Sequence, residues 1–136
     1  MQNNVIIPPD ISPYPEPHEI SAAVILANHF KTTVTFRKRQ NQLHTADYLI
    51  CNQIWEIKSP KGSGKRTMQN NLRDANLQSQ NIIIDLRRCG LTQTQALSRI
   101  HEYLGINRNG IKRIIVITKA KTVIDFYHKK QYNHDR

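Results

Sequence analysis

In three segments of the chain, apolar residues recur every three or four positions, and this spacing predicts three helices. Residues 18–30 are expected to form a helix because their apolar positions lie three or four residues apart. These positions are Ile20, Ala23, Val24, Ala27 and Phe30. Helical spacing also appears over residues 67–80 and 92–104. Thr67 is placed to cap the first of these two helices, and Gly105 is placed to end the second.

Runs rich in β-branched and aromatic residues predict six strands between these helices. The strands are expected over residues 31–39, 46–50, 53–58, 81–86, 112–118 and 122–126. The run Ile82-Ile83-Ile84 is apolar on both faces, so its strand is expected inside the sheet. The resulting order of elements predicts a mixed α/β (α+β) fold with a single central mixed β-sheet flanked by helices.

A chain of 136 residues fits one domain, which is expected to span residues 1–136. Residues 1–17 form a proline-rich, extended lead-in, and residues 128–136 form a polar tail. No apolar run approaches the ~20 residues of a membrane-spanning helix, and the N-terminus lacks the pattern of a secretory signal. Cys51 and Cys89 form no CxxC motif and are expected to be free thiols.

The net charge of +10, from 20 Lys and Arg against 10 Asp and Glu, points to a polyanionic partner. Proteins with such a positive charge most often bind nucleic acid. An anionic membrane surface would require a basic amphipathic helix, and the sequence shows none. A basic protein with no polyanionic partner is the remaining alternative.

The two strands at residues 46–50 and 53–58 carry the candidate chemistry. If Cys51 and Asn52 form the turn, Asp47 lies directly opposite Glu56, with Cβ atoms roughly 4.5–5.5 Å apart. Two like charges there need compensation, which a divalent cation such as Mg²⁺ or Mn²⁺ would provide. Lys58 emerges on the same face and is placed to hold a water or to stabilise charge on a phosphate.

Each of these residues also has an alternative interpretation. Asp47 could flank a turn, and Glu56 with Lys58 could be a solvated pair at a sheet edge. Glu19, at the start of the apolar face of the first helix, could point toward the two carboxylates. It could equally favour the positive end of the helix dipole.

The segment after Lys58 is rich in glycine and basic residues and contains no acidic residue up to position 73. Such a loop, followed by a helix N-terminus, is typical of a surface that contacts phosphates. A flexible solvated loop is the alternative. The candidate substrate-binding residues are Lys61, Lys65, Arg66, Thr67 and Arg73. The histidines show no spacing typical of a zinc site.

Glu19 on a first helix, Asp47 on a strand and Glu56-Ile57-Lys58 on the next strand resemble the PD-(D/E)XK nuclease superfamily. The longer stretch from Thr45 to Asp85 resembles the C-terminal tRNase toxin domains of CdiA-type contact-dependent growth inhibition effectors. That stretch includes the runs Trp55-Glu56-Ile57-Lys58-Ser59-Pro60-Lys61-Gly62 and Gln78-Ser79-Gln80-Asn81-Ile82-Ile83-Ile84-Asp85. The resemblance implies a PD-(D/E)XK nuclease-like core.

The resemblance further implies that Glu19, Asp47 and Glu56 bind or organise a metal ion and that Lys58 assists the attacking water. It implies RNA, and tRNA in particular, as the substrate of a metal-dependent endonuclease that acts in the cytoplasm of a target cell. A cognate immunity protein is then a candidate partner. A DNA nuclease with the same site and a non-catalytic nucleic-acid-binding module remain open. The chain could be an excised toxin domain or a free-standing relative.

Overall fold

A mixed β-sheet of seven strands runs through the computed structural model of the chain, which describes residues 4–37, 47–106 and 109–129. The strands are β1 (Val5–Ile6), β2 (Val34–Phe36), β3 (Asp47–Ile50), β4 (Gln53–Lys58), β5 (Asn81–Asp85), β6 (Arg113–Ile117) and β7 (Val123–His128). Three helices are described with them: α1 (Pro17–Phe30), α2 (Thr67–Asn76) and α3 (Gln93–Ile106). The predicted mixed α/β fold class is confirmed.

The strands lie in the sheet in the same order as in the chain. β2, β3 and β4 form an antiparallel meander, β4, β5 and β6 are parallel, and β7 returns antiparallel to β6. Parallel neighbours need crossover connections, which α2 and α3 provide. β5 is flanked by β4 and β6, as its apolar residues on both faces predicted.

The helices cover both faces of the sheet. α1 packs on one face, where its Ala22, Ala23, Leu26 and Ala27 join a core with Tyr48 and Trp55. α2 and α3 cover the other face over Ile82 and Ile84. The predicted stripe of α1 was wrong at Val24, which is 43% exposed, because the buried stripe runs through Ala22 and Leu26 instead.

Several predicted boundaries were also wrong. α2 ends at Asn76 rather than at residue 80, because the chain turns there and the Ser79 hydroxyl donates to the Ile54 carbonyl in β4. Thr67 is the first residue of α2, not its cap, and its Oγ1 lies against Gly62. Gly105 lies inside α3, where the helix continues to Ile106. The two-residue β1, which pairs parallel to β2 at the sheet edge, was not predicted within the proline-rich lead-in.

Some predictions concern residues outside the described ranges, including the end of the strand predicted over residues 31–39 and most of the polar tail. Both cysteines are free thiols as predicted, with Cys51 exposed and Cys89 buried. Within the described ranges, none of the helices has the length and apolar character needed to cross a membrane.

Candidate functional site

The β3–β4 hairpin sets the register of the candidate site. Cys51 and Asn52 both have positive φ angles, 49° and 64°, as the two central residues of a type I′ turn require. This turn pairs Asp47 with Glu56 and Tyr48 with Trp55, which confirms the predicted register. Because paired residues share a face, the carboxylates of Asp47 and Glu56 lie on one side of the sheet, opposite the side that carries Trp55.

Each of the two carboxylates has a basic side chain near it. Glu56 is fully buried, and the Lys58 ammonium lies 3.5 Å from its carboxylate oxygen. The Lys58 side chain is itself only 11% exposed, so this ion pair is largely removed from solvent. An Arg37 nitrogen lies 3.8 Å from the Asp47 carboxylate. The like charges across the hairpin are therefore partly compensated by the protein itself.

Beyond the carboxyl end of β4, a surface cleft of about 350 Å³ opens between the two helical layers. One wall comes from the first turn of α1, and the other comes from the end of β4, α2 and the turn after β5. The cleft is lined by Glu16, His18, Glu19, Ile57, Lys58, Ser59, Lys61, Asn71 and Arg88. Of the four predicted catalytic residues, Glu19 and Lys58 line this cleft, whereas Asp47 and Glu56, which pair on the hairpin, are not among its lining residues.

Glu19 is buried at the cleft wall, and its side chain contacts the start of its own helix. Its Oε1 accepts a hydrogen bond from the Glu16 backbone N–H at 2.8 Å, so the side chain helps to cap α1. The Tyr48 hydroxyl, buried below α1, donates to the Glu19 carbonyl at 2.5 Å. Burial raises the pKa of Tyr48 well above its ordinary value, and the nearby carboxylates of Glu19 and Asp85 raise it further.

The described carboxylates of the site are not arranged as a complete set of protein ligands for a metal ion. Among the described residues, no group of three or more His, Cys, Asp or Glu side chains is arranged to hold one. Glu19 is thus not assembled with Asp47 and Glu56 into a single cluster. Mg²⁺ is commonly bound by one or two carboxylates together with waters and substrate phosphates, and the Asp47–Glu56 pair provides donors of that kind.

The predicted substrate-binding residues are spread along the loop after β4 and on α2. Lys61 lines the cleft, whereas Lys65, Arg66 and Arg73 are exposed outside it. Arg73 lies 3.8 Å from Asp74, in an ion pair on the exposed side of α2. Thr67 is half-buried against the loop. These four residues could contact only parts of a substrate that extend beyond the cleft.

Gly62 in the basic loop serves packing. The Gly62 carbonyl accepts the Gly90 N–H at 3.2 Å, which joins the loop to the turn after β5. A Cβ at Gly62 would come within 2.9 Å of the Thr67 hydroxyl oxygen. The loop is therefore anchored at Gly62 rather than solvated along its whole length.

The turn after β5 provides groups that were not recognised in the sequence. Asp85, at the end of β5, is fully buried, and its carboxylate accepts three hydrogen bonds of 2.7–3.2 Å from the Arg87 guanidinium. Arg87 also donates to the Ser21 hydroxyl and the His18 carbonyl, both at 2.8 Å. The hydrogen bonds to Asp85 are the main cause that raises the pKa of Arg87. This network holds the first turn of α1 over the end of β5.

Arg88 then reaches the cleft. Its Nε donates to the Ser59 hydroxyl at 3.2 Å, and a terminal nitrogen lies 3.0 Å from His18 Nε2. Because arginine only donates, His18 Nε2 is the acceptor and the imidazole is neutral. Burial, with the positive charge of Arg88 adding to it, lowers the pKa of His18. A charged run directly after a buried parallel strand was the available signal, since ligands often bind at the carboxyl ends of such strands.

The chain is similar to known proteins both in sequence and in fold. The sequence profile of the contact-dependent growth inhibition CdiA C-terminal domain matches residues 44–123, which is more than half of the chain. A solved structure described as a CdiA-CT/CdiI toxin and immunity complex from Burkholderia pseudomallei is similar in fold, with a TM-score of 0.59 and 20% sequence identity. The match covers 89% of this chain and 96% of the solved chain. No curated protein sequence matches.

The buried ion pair leads to a stability prediction. Lys58→Met removes the cation next to the buried Glu56 carboxylate and is expected to lower the free energy of unfolding by about 3 kcal/mol. The double variant Glu56→Gln/Lys58→Met removes both charges and should lose less than the sum of the two single variants. Urea unfolding of all four proteins measures the coupling energy, expected on the order of 1 kcal/mol or more. A coupling energy of zero would contradict a stabilising pair.

The contact between Arg88 and His18 leads to a prediction about titration. The pKa of His18 is expected below the ordinary histidine value of about 6.5. Arg88→Gln should raise it, because the positive charge of Arg88 is removed while the nearby carboxylates of Glu19, Glu16 and Asp85 remain. NMR titration of the histidine resonances measures both values, with His18→Asn assigning the signal. A pKa that does not change in Arg88→Gln would show that the two side chains are not in contact in solution.

Proposed function

Because the chain belongs to the contact-dependent growth inhibition CdiA C-terminal domain family, we propose that it is a toxin domain that hydrolyses phosphodiester bonds in RNA, with tRNA as the substrate. The observation that carries the nuclease assignment is the hairpin geometry. Asp47 and Glu56 pair across the hairpin. Lys58 forms an ion pair with Glu56 and also lines the cleft, one wall of which is basic. This arrangement of two carboxylates and a lysine is the one expected of a PD-(D/E)XK nuclease.

The proposal gives each residue of the hairpin a role. Asp47 and Glu56 would hold Mg²⁺ or Mn²⁺, and the Ile57 carbonyl at the cleft would be a further ligand. The bound ion would neutralise charge on the phosphate and lower the pKa of a water that attacks phosphorus. Lys58 would orient that water or stabilise the negative charge that develops on the phosphate oxygens. Its ion pair with Glu56 would hold the ammonium in place between the hairpin and the cleft.

The charge distribution supports a polymeric substrate. Lys61 is at the cleft, and Lys65 and Arg66 continue the exposed positive charge beyond it, followed on α2 by Arg73, which is paired with Asp74. A single nucleotide would use only the cleft, whereas a polynucleotide could place flanking phosphates against the outer residues. Thr67, at the start of α2, would contribute a hydroxyl to the same surface. Glu19, on the opposite wall, would complete the acidic side of the site.

The family and the structural neighbour also support a proposal about the binding partner of the chain and the place where it acts. The neighbouring structure contains a toxin with an immunity protein, so we propose that a cognate immunity protein binds this chain. As a toxin of this family, the chain would act in the cytoplasm of a target cell.

The first test of the proposed function compares substrates. We expect the purified chain to cleave tRNA in the presence of Mg²⁺, to lose that activity when a chelator is added, and to leave plasmid DNA intact. Gel electrophoresis of both substrates, followed by sequencing of the RNA ends, gives the result. Cleavage of plasmid DNA but not tRNA would identify a DNA nuclease, and chelator-resistant cleavage of RNA would exclude the metal mechanism.

The second test removes one carboxylate. Asp47→Asn keeps the size of the side chain but removes its charge, and is expected to lower the rate of RNA cleavage on the order of 10²-fold or more. Binding of tRNA should be retained, because the basic residues are unchanged. Asp125→Asn is the matched control, since Asp125 is exposed on β7 and pairs with Arg113 away from the cleft. Equal cleavage by the two variants would remove Asp47 from the mechanism.

A further inference from the structure

Two consecutive arginines after β5 differ in how their charge is balanced. Arg87 is neutralised by the buried carboxylate of Asp85. Within the described parts of the chain, Arg88 forms no ion pair, and its polar side-chain contacts are the uncharged Ser59 hydroxyl and His18 imidazole. Arg88 therefore retains a full positive charge at the wall of the cleft.

The backbone that carries Arg88 is held in place on both sides. The Leu86 N–H donates to the Ile117 carbonyl at 2.9 Å, and the Cys89 N–H donates to the Leu86 carbonyl at 3.1 Å. Gly90 is bonded to Gly62, and a Cβ at Gly90 would come within 3.0 Å of the Ser63 Cβ. A guanidinium presented on a fixed turn loses little conformational entropy when it binds a ligand.

The arrangement of charge in the cleft indicates the kind of ligand. Lys61, in the loop after β4, and Arg88, in the turn after β5, lie on one wall with Lys58, whose charge is balanced by Glu56, whereas Glu16 and Glu19 lie on the α1 wall. An anion would be repelled by the α1 wall and attracted to the basic wall. The planar guanidinium fork of arginine suits a phosphate, which can accept two parallel hydrogen bonds from it.

We propose that Arg88, together with Ser59 and Lys61, forms a subsite that binds one phosphate group of the nucleic-acid backbone. This inference rests on the proposed function, because it assigns a substrate contact within the same cleft. Ser59 acts in two ways, since its hydroxyl accepts from Arg88 Nε and can donate to a phosphate oxygen. Arg87 is a positioning residue for the subsite, because it fixes α1 and with it the His18 imidazole that contacts Arg88.

The experiment measures tRNA binding rather than cleavage. Asp47→Asn serves as the parent protein so that the probe, fluorescein-labelled bulk tRNA, stays intact. Fluorescence anisotropy at several KCl concentrations gives the slope of the logarithm of the binding constant against the logarithm of salt concentration. Arg88→Gln removes one phosphate contact and is expected to reduce the magnitude of this slope by roughly 0.7 to 0.9. Arg88→Lys should keep the slope but bind several-fold more weakly, because lysine lacks the planar fork.

Lys31→Gln is the matched control for the loss of one charge. Lys31 is exposed at the C-terminal end of α1, and the length of the helix places it ~20 Å from the first turn of α1 at the cleft. It should leave the slope close to that of the parent. Equal effects of Arg88→Gln and Lys31→Gln would overturn the subsite, as would an Arg88→Lys variant that binds like the parent.

Failure of the subsite and failure of the proposed function give different results. A reduced slope in Arg88→Gln supports the subsite even if the unmodified chain cleaves no RNA, an outcome that would remove the nuclease assignment alone. Cleavage of tRNA by the unmodified chain with an unchanged slope in Arg88→Gln would keep the nuclease and remove the subsite. Circular dichroism shows whether each variant is folded, and Arg88→Lys decides the matter if Arg88→Gln does not fold.

Discussion

Asp47 and Glu56 share one register position of the β3–β4 hairpin, so two like charges lie side by side on one face of the sheet. Such a pair is unfavourable unless positive charge is near, and Lys58 and Arg37 provide it within the protein. Lys58, two residues after Glu56 and on the same face, is the last residue of β4, where the cleft opens. A slip of one residue would turn side chains of one strand to the other face, so the turn with positive φ angles at Cys51 and Asn52 determines which side chains pair across the hairpin.

The wall of the cleft that α1 forms depends on contacts that fix α1 to the sheet. The Tyr48 hydroxyl binds the Glu19 carbonyl from below, and the Arg87 guanidinium binds the His18 carbonyl from the end of β5. Both donors are held by their own surroundings, since Tyr48 is buried in the core and Arg87 is bonded to buried Asp85. The position of α1 relative to β4 is therefore set by directional hydrogen bonds as well as by apolar packing.

Local patterns in the sequence predicted most of the fold, because strand alternation and helical spacing depend on neighbouring residues. The hairpin register followed from the length of one turn, and the inner position of β5 followed from its apolar run. The role of the turn after β5 could not be predicted in the same way. Arg88 and His18 meet only when β5 and α1 are assembled, and nothing in their spacing indicates this. The stripe of α1 was misjudged at Val24 because several of its apolar residues could have faced the core equally well.

The contacts that build the cleft join parts of the chain that are far apart in sequence. His18 and Arg88 are separated by 70 positions, and Glu19 and Tyr48 by 29. Contacts of such long range cost more loop-closure entropy than local contacts, because large loops must close before the contacts can stabilise the structure. Detachment of the first turn of α1 would open the cleft while the sheet stayed intact. The cleft is accordingly a feature of the completed fold, and partly folded forms of the chain would lack it.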